Sequence, residues 1–408
     1  MSLRTLLGGL PRAFWWLWAG SLVNRLTGFV VPFLAVYLTR VRGFSPAAAG
    51  ALVAGYGAGW GAAMLVGGTL ADRIGRRRTM LLGLSGSAAA ALGLAAAHAP
   101  AAVAAWVVVY GFFAESYFPA VQAAAGDLVP ERDRPRAFGL LYWAVNLGFA
   151  VGMVVAGALA EASYAALFVG DAVTTLAFAG IVAARFPETR RGAAAAGGFG
   201  EALRGLRRTF SDRRLVLLLG LVLANAVVFI QIQVGFPLDA AAHGVAPATF
   251  GRLVALNCAV IGVAQPFASR FLPRLDRGRV LAASALCVGT GFGLYAFGHT
   301  TAWYALGVLV WTAGEILGNP TAAAVVADLA PEDLAGRYQG ALGLTWSLAA
   351  LVGPLAGGAL VASAGSRGLW LACLGAGATI AALHLAVTGP MLRRTFAGTR
   401  PASGEAGG

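Results

Sequence analysis

Apolar runs of about 20 residues recur along the whole chain between short polar breaks, and each can cross a hydrocarbon core of about 30 Å as a helix. The pattern places twelve spans near 13–38, 47–71, 79–97, 101–128, 137–161, 165–185, 215–239, 247–270, 280–298, 302–329, 338–363 and 368–390. Helices are expected because backbone groups in lipid must satisfy their own hydrogen bonds. The alternating segments of about 10 residues that mark a membrane barrel do not occur.

Composition extends this picture. The 408 residues are 59% hydrophobic and 12% charged, against roughly 25% charged in soluble domains. The excess runs through the whole length, so it is not one anchor on a soluble domain. A net charge of +13 could suggest a nucleic-acid partner, but its placement argues otherwise. Every basic residue is arginine. With the N-terminus inside, one face holds Arg4, Arg12, Arg73, Arg76, Arg77, Arg78, Arg132, Arg134 and Arg136. The same face holds the central-linker arginines, Arg270, Arg274, Arg277, Arg279, Arg337, Arg393, Arg394 and Arg400; Arg40, Arg42 and Arg367 fall on the other. That asymmetry follows the positive-inside rule and puts both termini in the cytoplasm. No nucleic-acid partner is expected. Cys258, Cys287 and Cys373 stand apart within spans, and the four histidines are scattered, so neither a disulfide frame nor a metal site is expected. No short apolar core with a small-residue cleavage site opens the chain, so the first span is expected to be retained.

The chain matches itself at a constant offset of 201 residues. Asn24 pairs with Asn225, Gly43 with Gly244, Pro46 with Pro247, Gly50 with Gly251, and Arg78 with Arg279. His98 pairs with His299, Pro119 with Pro320, and Asp127-Leu128-Val129-Pro130-Glu131 with Asp328-Leu329-Ala330-Pro331-Glu332. Arg136, Gly139, Gly152 and Gly157 pair with Arg337, Gly340, Gly353 and Gly358. Six spans per copy make both copies enter the membrane in one direction. The expected fold is therefore an all-α membrane protein, with two six-helix bundles related by a pseudo-twofold axis along the membrane normal and a site near midplane between them. The bundles are read as 1–185 and 213–392, joined by a basic linker over 186–212, with a disordered tail over 393–408. Leu203, Leu206 and Phe210 among arginines make the linker either an amphipathic surface helix or a solvated tether.

Between spans two and three stands Gly68-Thr69-Leu70-Ala71-Asp72-Arg73-Ile74-Gly75-Arg76-Arg77-Arg78. This resembles the cytoplasmic loop signature of the major facilitator superfamily. Gly68 permits close helix approach, Asp72 can sit against a helix N-terminus, Gly75 allows a sharp turn, and Arg76 can pair with Asp127. The resemblance implies that Gly68, Asp72, Arg73, Gly75, Arg76, Arg77 and Asp127 latch the halves in the outward-open state; the alternative is that the arginines only set topology. The second copy, Ser269 to Arg279, has Pro273 in place of Asp72, so the latch is expected to be asymmetric. A glycine-proline motif that the family's drug antiporters carry on span five is broken here by Met153, while span eleven keeps Gly353-Pro354.

Ionisable groups at membrane depth are costly and mark function by default. Arg25, Glu115 and Glu315 fall mid-span on spans that line the cavity in this superfamily, with Asn24 and Gln231 beside them. An Arg25–Glu115 ion pair is expected. Glu315 has no evident cation on its own half and is the first candidate proton carrier, Glu115 the second; a static buried network is the alternative. Asp171 and Asp239 are read as local structure, and His98 and His299 as end caps. Phe112, Phe113, Tyr117 and Phe118 crowd Glu115, and Trp311 lies near Glu315, so an aromatic-walled cavity for amphipathic or cationic organic solutes is expected.

An ATP-driven pump needs a phosphate loop with its lysine, and the chain has none. An intramembrane enzyme would need a nucleophile–base grouping, which the spans do not offer. The reading is a secondary transporter without cofactor, not an enzyme. It is expected to act as a monomer in a bacterial inner membrane, with a small organic solute, protons and the lipid bilayer as partners. Proton-coupled efflux leads. Proton-coupled uptake of a small nutrient is the alternative, with a passive channel behind it.

Overall fold

The structure is a computed structural model that describes residues 9–26, 30–130, 133–189, 208–331 and 334–396. Its secondary structure is helical. The first span, α1, runs Arg12–Arg25 and resumes as Val30–Val36, ending in a π-turn Tyr37–Val41. Then follow α2 (Pro46–Ile74), α3 (Arg76–Ala96), α4 (Pro100–Ser116 and Phe118–Leu128), α5 (Arg134–Ala162) and α6 (Tyr164–Arg185). The second half has α7 (Arg213–Phe229 and Gly235–Ala242), α8 (Pro247–Phe271), α9 (Arg277–Gly293) and α10 (Thr301–Leu329). A last helical run, Ala335–Leu383, breaks at Gly365 (φ 69°, ψ 176°) into α11 (335–364) and α12 (366–383). These are the twelve expected helices; their ends match the expected spans closely except at α9, which stops at Gly293, and at α12, which continues as a π-turn His384–Thr388 and a short helix Gly389–Phe396. Arg4, Leu203, Leu206, Glu131, Glu332 and most of the tail lie outside the described residues.

Local signals set the ends. Ser45 Oγ accepts from Ala48 N ahead of Pro46, and Thr300 Oγ1 from Trp303 N at the start of α10, satisfying amides that have no partner within a first helical turn. The turn before α2 recurs before α8: Gly43 and Gly244 have φ of 72° and 76°, each three residues before the proline that opens the helix. A positive φ favours glycine, so the duplicated sequence has a duplicated backbone there.

Packing repeats as well. Among the described residues, α2 packs on α4 and α8 on α10, α3 on α6 and α9 on α12, α1 on α5 and α7 on α11. The two bundles meet through α2 with α11 and α5 with α8. An aromatic cluster of Phe33, Phe236, Phe250, Phe292, Tyr295, Trp311 and Trp370 fills the outer part of the second bundle and reaches α1. Large apolar side chains also point outward, among them Val173 at 60% exposure and Val263 at 69%. A soluble monomer rarely carries so wide an apolar exterior; on a membrane helix it faces lipid.

Glycines along the contact of α2 with α11 record how the bundles sit. A Cβ built on Gly50 would lie 2.4 Å from Pro354 O, and one on Gly57 2.3 Å from Ala350 O. On Gly61 the nearest neighbour is Ser347 Cβ at 3.9 Å, and on Gly68 nothing lies within 4 Å. The helices therefore touch backbone to backbone at the outer end and part towards the Arg-rich face. The α5–α8 contact does the same: a Cβ on Gly251 would lie 2.2 Å from Met153 O, while Gly262 has open space around it. The conformation is closed at the face away from the arginines and open towards them.

Candidate functional site

A cavity of about 710 Å³ lies between the halves, on the side where α2 and α11 part towards the Arg-rich face. Its walls are Trp60, Met64, Tyr117, Phe118, Phe138, Tyr142 and Trp346, with Val121, Gln122 and Leu141 at the open end. Arg25 and Glu115 are its charged wall residues. They share the cavity, yet no ion pair within 4.0 Å joins them among the described residues, which corrects the expectation of a direct pair. Tyr56 explains the difference: its hydroxyl donates to Glu115 Oε1 at 2.7 Å and satisfies the carboxylate from α2. Arg25 sits instead where α5 presses on α1, with a Cβ on Gly148 only 2.6 Å from Arg25 Cβ. Asn24 is buried behind it, donating to Thr175 Oγ1 at 2.9 Å and accepting from Tyr117 at 2.7 Å. The break of α4 at Tyr117, just ahead of Pro119, puts Glu115 at the end of a helical segment. In contrast, α10 carries Pro320 without breaking.

Glu315 opens into a smaller pocket of about 270 Å³ with Tyr142, Ile261, Gln265, Asn319 and Pro320. Asn257 Nδ2 donates to Glu315 Oε2 at 2.9 Å and to Thr312 Oγ1 at 3.0 Å. Asn257 stands 201 residues after Tyr56, so each bundle uses the same position of its second helix to hold an acid of its fourth. The acids themselves are one residue out of register, which hides the relation from a search for identities. Tyr142 of α5 lines both pockets and brings the first bundle up to Glu315.

Two residues read as cavity candidates are packing residues. Gln231 is 2% exposed and donates to Gly353 O at 2.9 Å, stapling α7 to α11 where a Cβ on Gly357 would collide with it. Trp311 is fully buried, stacks on Phe292 and donates to Tyr295 Oη at 3.1 Å. Asp171 is also buried and accepts from Tyr110 at 3.0 Å.

At the Arg-rich face, Arg76 Nη1 lies 3.0 Å from Asp72 and Arg76 Nε 3.1 Å from Asp127. Arg76 Nη1 also donates to Ala71 O, and Arg77 donates to the end of α6 at Ala183 O, 2.6 Å away. The N-terminus of α3 is capped from the end of the first bundle. Glu188, just past α6, accepts from Arg76 N at 2.8 Å and Arg77 N at 3.3 Å at the start of α3. Gly75 (φ 99°) makes room, since a Cβ there would lie 2.3 Å from Glu188. Gly68 and Arg73 lie at the parted end of α2.

The second copy is less decayed than its sequence implies. Arg277 pairs with Asp328, and these residues are the copies of Arg76 and Asp127. Asp276 replaces Gly75 and caps α9 directly, accepting from Arg279 N at 2.9 Å and from Arg393 at 2.9 Å. The Arg279 N–H and then Arg393 hold the Asp276 carboxyl below the usual carboxylate range. A depressed folded value means that this cap stabilises above the unfolded pKa of about 3.9 and is lost as pH falls below it. Asp276→Ala is expected to remove about 1 kcal/mol at pH 7, seen as a lower apparent melting temperature in detergent. The difference from wild type should shrink towards pH 3.

The family model described as Major Facilitator Superfamily matches residues 17–354 and again 229–404. The chain belongs to the major facilitator superfamily. As a member it is a multi-pass membrane transporter and not an enzyme. The uncharacterized MFS-type transporter YttB of Bacillus subtilis (strain 168) is 28% identical over 371 residues, covering 90% of this chain and 92% of that one. The class C tetracycline resistance protein of Escherichia coli is 27% identical over 347 residues, 80% and 82% of the two chains. The crystal structure of nucleoside transporter NupG (D323A mutant) superposes with a TM-score of 0.80 at 16% identity, over 92% of this chain and 99% of that one. At that identity the likeness speaks for the superfamily's fold.

Proposed function

We propose that this superfamily member exports amphipathic, drug-like organic compounds in exchange for protons. The observation that carries the reading is the cavity itself: aromatic walls, about 710 Å³, with Arg25 and Glu115 as its charges. Pockets of about 300–1,000 Å³ suit drug-sized ligands, and aromatic faces beside a carboxylate favour organic cations through cation–π attraction. Resemblance to a tetracycline resistance protein supports the outward direction. Glu315, reached from the cavity region past Tyr142, is the proton carrier in this reading, and Glu115 answers to substrate.

Alternating access follows from the same parts. The bundles 1–185 and 213–392 rock about their outer glycine contacts, joined by the linker 186–212 and followed by the tail 393–408. In the open conformation Asp72, Arg76, Arg77 and Asp127 bind one another and α6 within the first bundle; they latch the halves only when the inner ends close, with Gly68 leaving room for that approach. The protein works as a monomer in the bacterial inner membrane with both termini in the cytoplasm. A second reading, proton-coupled uptake of a small organic nutrient, has one observation in its favour: Met153 stands where drug antiporters of the family carry proline.

A growth-inhibition panel separates the two. Cells making the protein should resist several unrelated amphipathic compounds, and Glu115→Gln should remove that resistance. Resistance to none, with a growth advantage on one nutrient, would reject export in favour of uptake.

A further inference from the structure

Opposite the gate, at the outer end of α7, three potential metal ligands converge. Asp239 is 1% exposed, His243 lies one turn later, and His299 comes from the turn between α9 and α10. One ligand atom of each residue lies within 4.8 Å of the others. His243 Nδ1 is 2.9 Å from Asp239 O and 3.3 Å from Asp239 Oδ1, and His299 Nδ1 is 3.8 Å from Asp239 Oδ2. Tyr304 donates to Asp239 Oδ2 at 2.7 Å and lies 3.4 Å from His299 Nδ1. The two imidazoles stack with centroids 3.5 Å apart and planes 6° from parallel.

Two features of this cluster ask for a cation. Asp239 Oδ1 is buried without a hydrogen-bond partner; His243 Nδ1 is near it but not aligned to donate. A buried carboxylate oxygen left so is costly. The stacked imidazoles bring two ring-nitrogen ligands to the side of that oxygen. Two neutral imidazoles and one carboxylate are the ligand types of a three-residue zinc site, whose fourth position takes water. Tyr304 supplies the carboxylate hydrogen bond that orients such ligands.

We propose that Asp239, His243 and His299 form a binding site for a transition-metal dication of the zinc type on the outer face of the transporter. A tetrahedral site with bonds of about 2.0–2.2 Å holds its ligand atoms roughly 3.3–3.6 Å apart, so atoms now within 4.8 Å of one another close by about 1.5 Å at most and satisfy Asp239 Oδ1. The site ties the outer segment of α7 (Gly235–Ala242) to the α9–α10 turn. It is separate from the cavity and stands whether the transported solute leaves or enters.

Purified full-length protein, carrying no histidine tag, is titrated with zinc chloride by calorimetry, and its zinc edge is read by X-ray absorption. One ion per chain is expected, with a first shell of nitrogen and oxygen that includes two imidazoles. The double variant His243→Gln, His299→Gln should lose at least about 100-fold in affinity, on the scale of ligand-shell changes. His98→Gln, His384→Gln, on the remaining histidines, should leave it unchanged. Sulfur in the first shell would place the ion at a cysteine and overturn the proposal. Equal affinity in the first double variant, or no binding by wild type, would overturn it too. Cooperative melting of that variant near the wild-type temperature shows that it is folded. If it is not folded, the imidazole signature of the wild-type spectrum decides alone.

Discussion

Glu315→Gln in proteoliposomes should reduce accumulation driven by a pH gradient to the level of empty vesicles, while substrate exchange at equal pH on both sides continues. The substitution keeps the shape and still lets Asn257 donate to the side-chain oxygen, so what it removes is the ionisable proton. A carboxyl in a pocket between bundles, with a neutral donor as its direct partner, can be neutral in one state and charged in the other without breaking an ion pair. Glu115 differs: it shares its wall with Arg25 and is held by Tyr56. Glu115→Gln should therefore weaken binding of cationic substrates more than it weakens coupling. The reverse result, coupling lost at Glu115 and kept at Glu315, would move the proton to the first bundle.

Gly57→Val should abolish transport without unfolding the protein. The atom nearest a new Cβ is backbone, Ala350 O at 2.3 Å, so no rotamer change relieves it. Overpacking of this kind typically costs 1–3 kcal/mol, occasionally more, and here it penalises only the state in which the outer ends of α2 and α11 touch. With about 1.4 kcal/mol per tenfold change, a penalty near 3 kcal/mol shifts the population about 100-fold towards the opposite state. A cysteine at Gln122, on the cavity wall, should react with an impermeant thiol reagent from the Arg-rich side in wild type and be protected in Gly57→Val. Gly61→Val is the control: its nearest contact is a side-chain carbon at 3.9 Å, so transport should survive.

Much of the scaffold is written in the sequence because lipid leaves few options. A run of apolar residues long enough to cross must be a helix, and a constant offset of 201 residues must superpose two copies. The Arg76–Asp127 contact is legible for a related reason: charged residues are scarce, and these two end neighbouring helices on one face. Side-chain azimuth is not legible to the same degree. Arg25 and Glu115 share a depth but not a direct contact, because Tyr56 reaches the carboxylate from a third helix. Gln231 and Trp311 share the depth of the cavity and face packing instead. Glu188 lies 112 residues from the helix end it caps, and only the fold brings them together. Asn257 could have been found by carrying Tyr56 across the repeat, had function at a position been sought rather than identity. His299 reads as an end cap until His243 is stacked on it.

Distance between the inner ends of the bundles tests the account most directly. Ile74 and Leu275 stand exposed at the Arg-rich ends of the two halves, at 36% and 52%. Each can carry a spin label once Cys258, Cys287 and Cys373 are replaced by serine. Pulsed electron resonance on this pair should give two separations, with Gly57→Val emptying the longer one into the shorter. A single separation that neither substrate, pH nor Gly57→Val changes would contradict a transporter whose halves rock about their outer contacts.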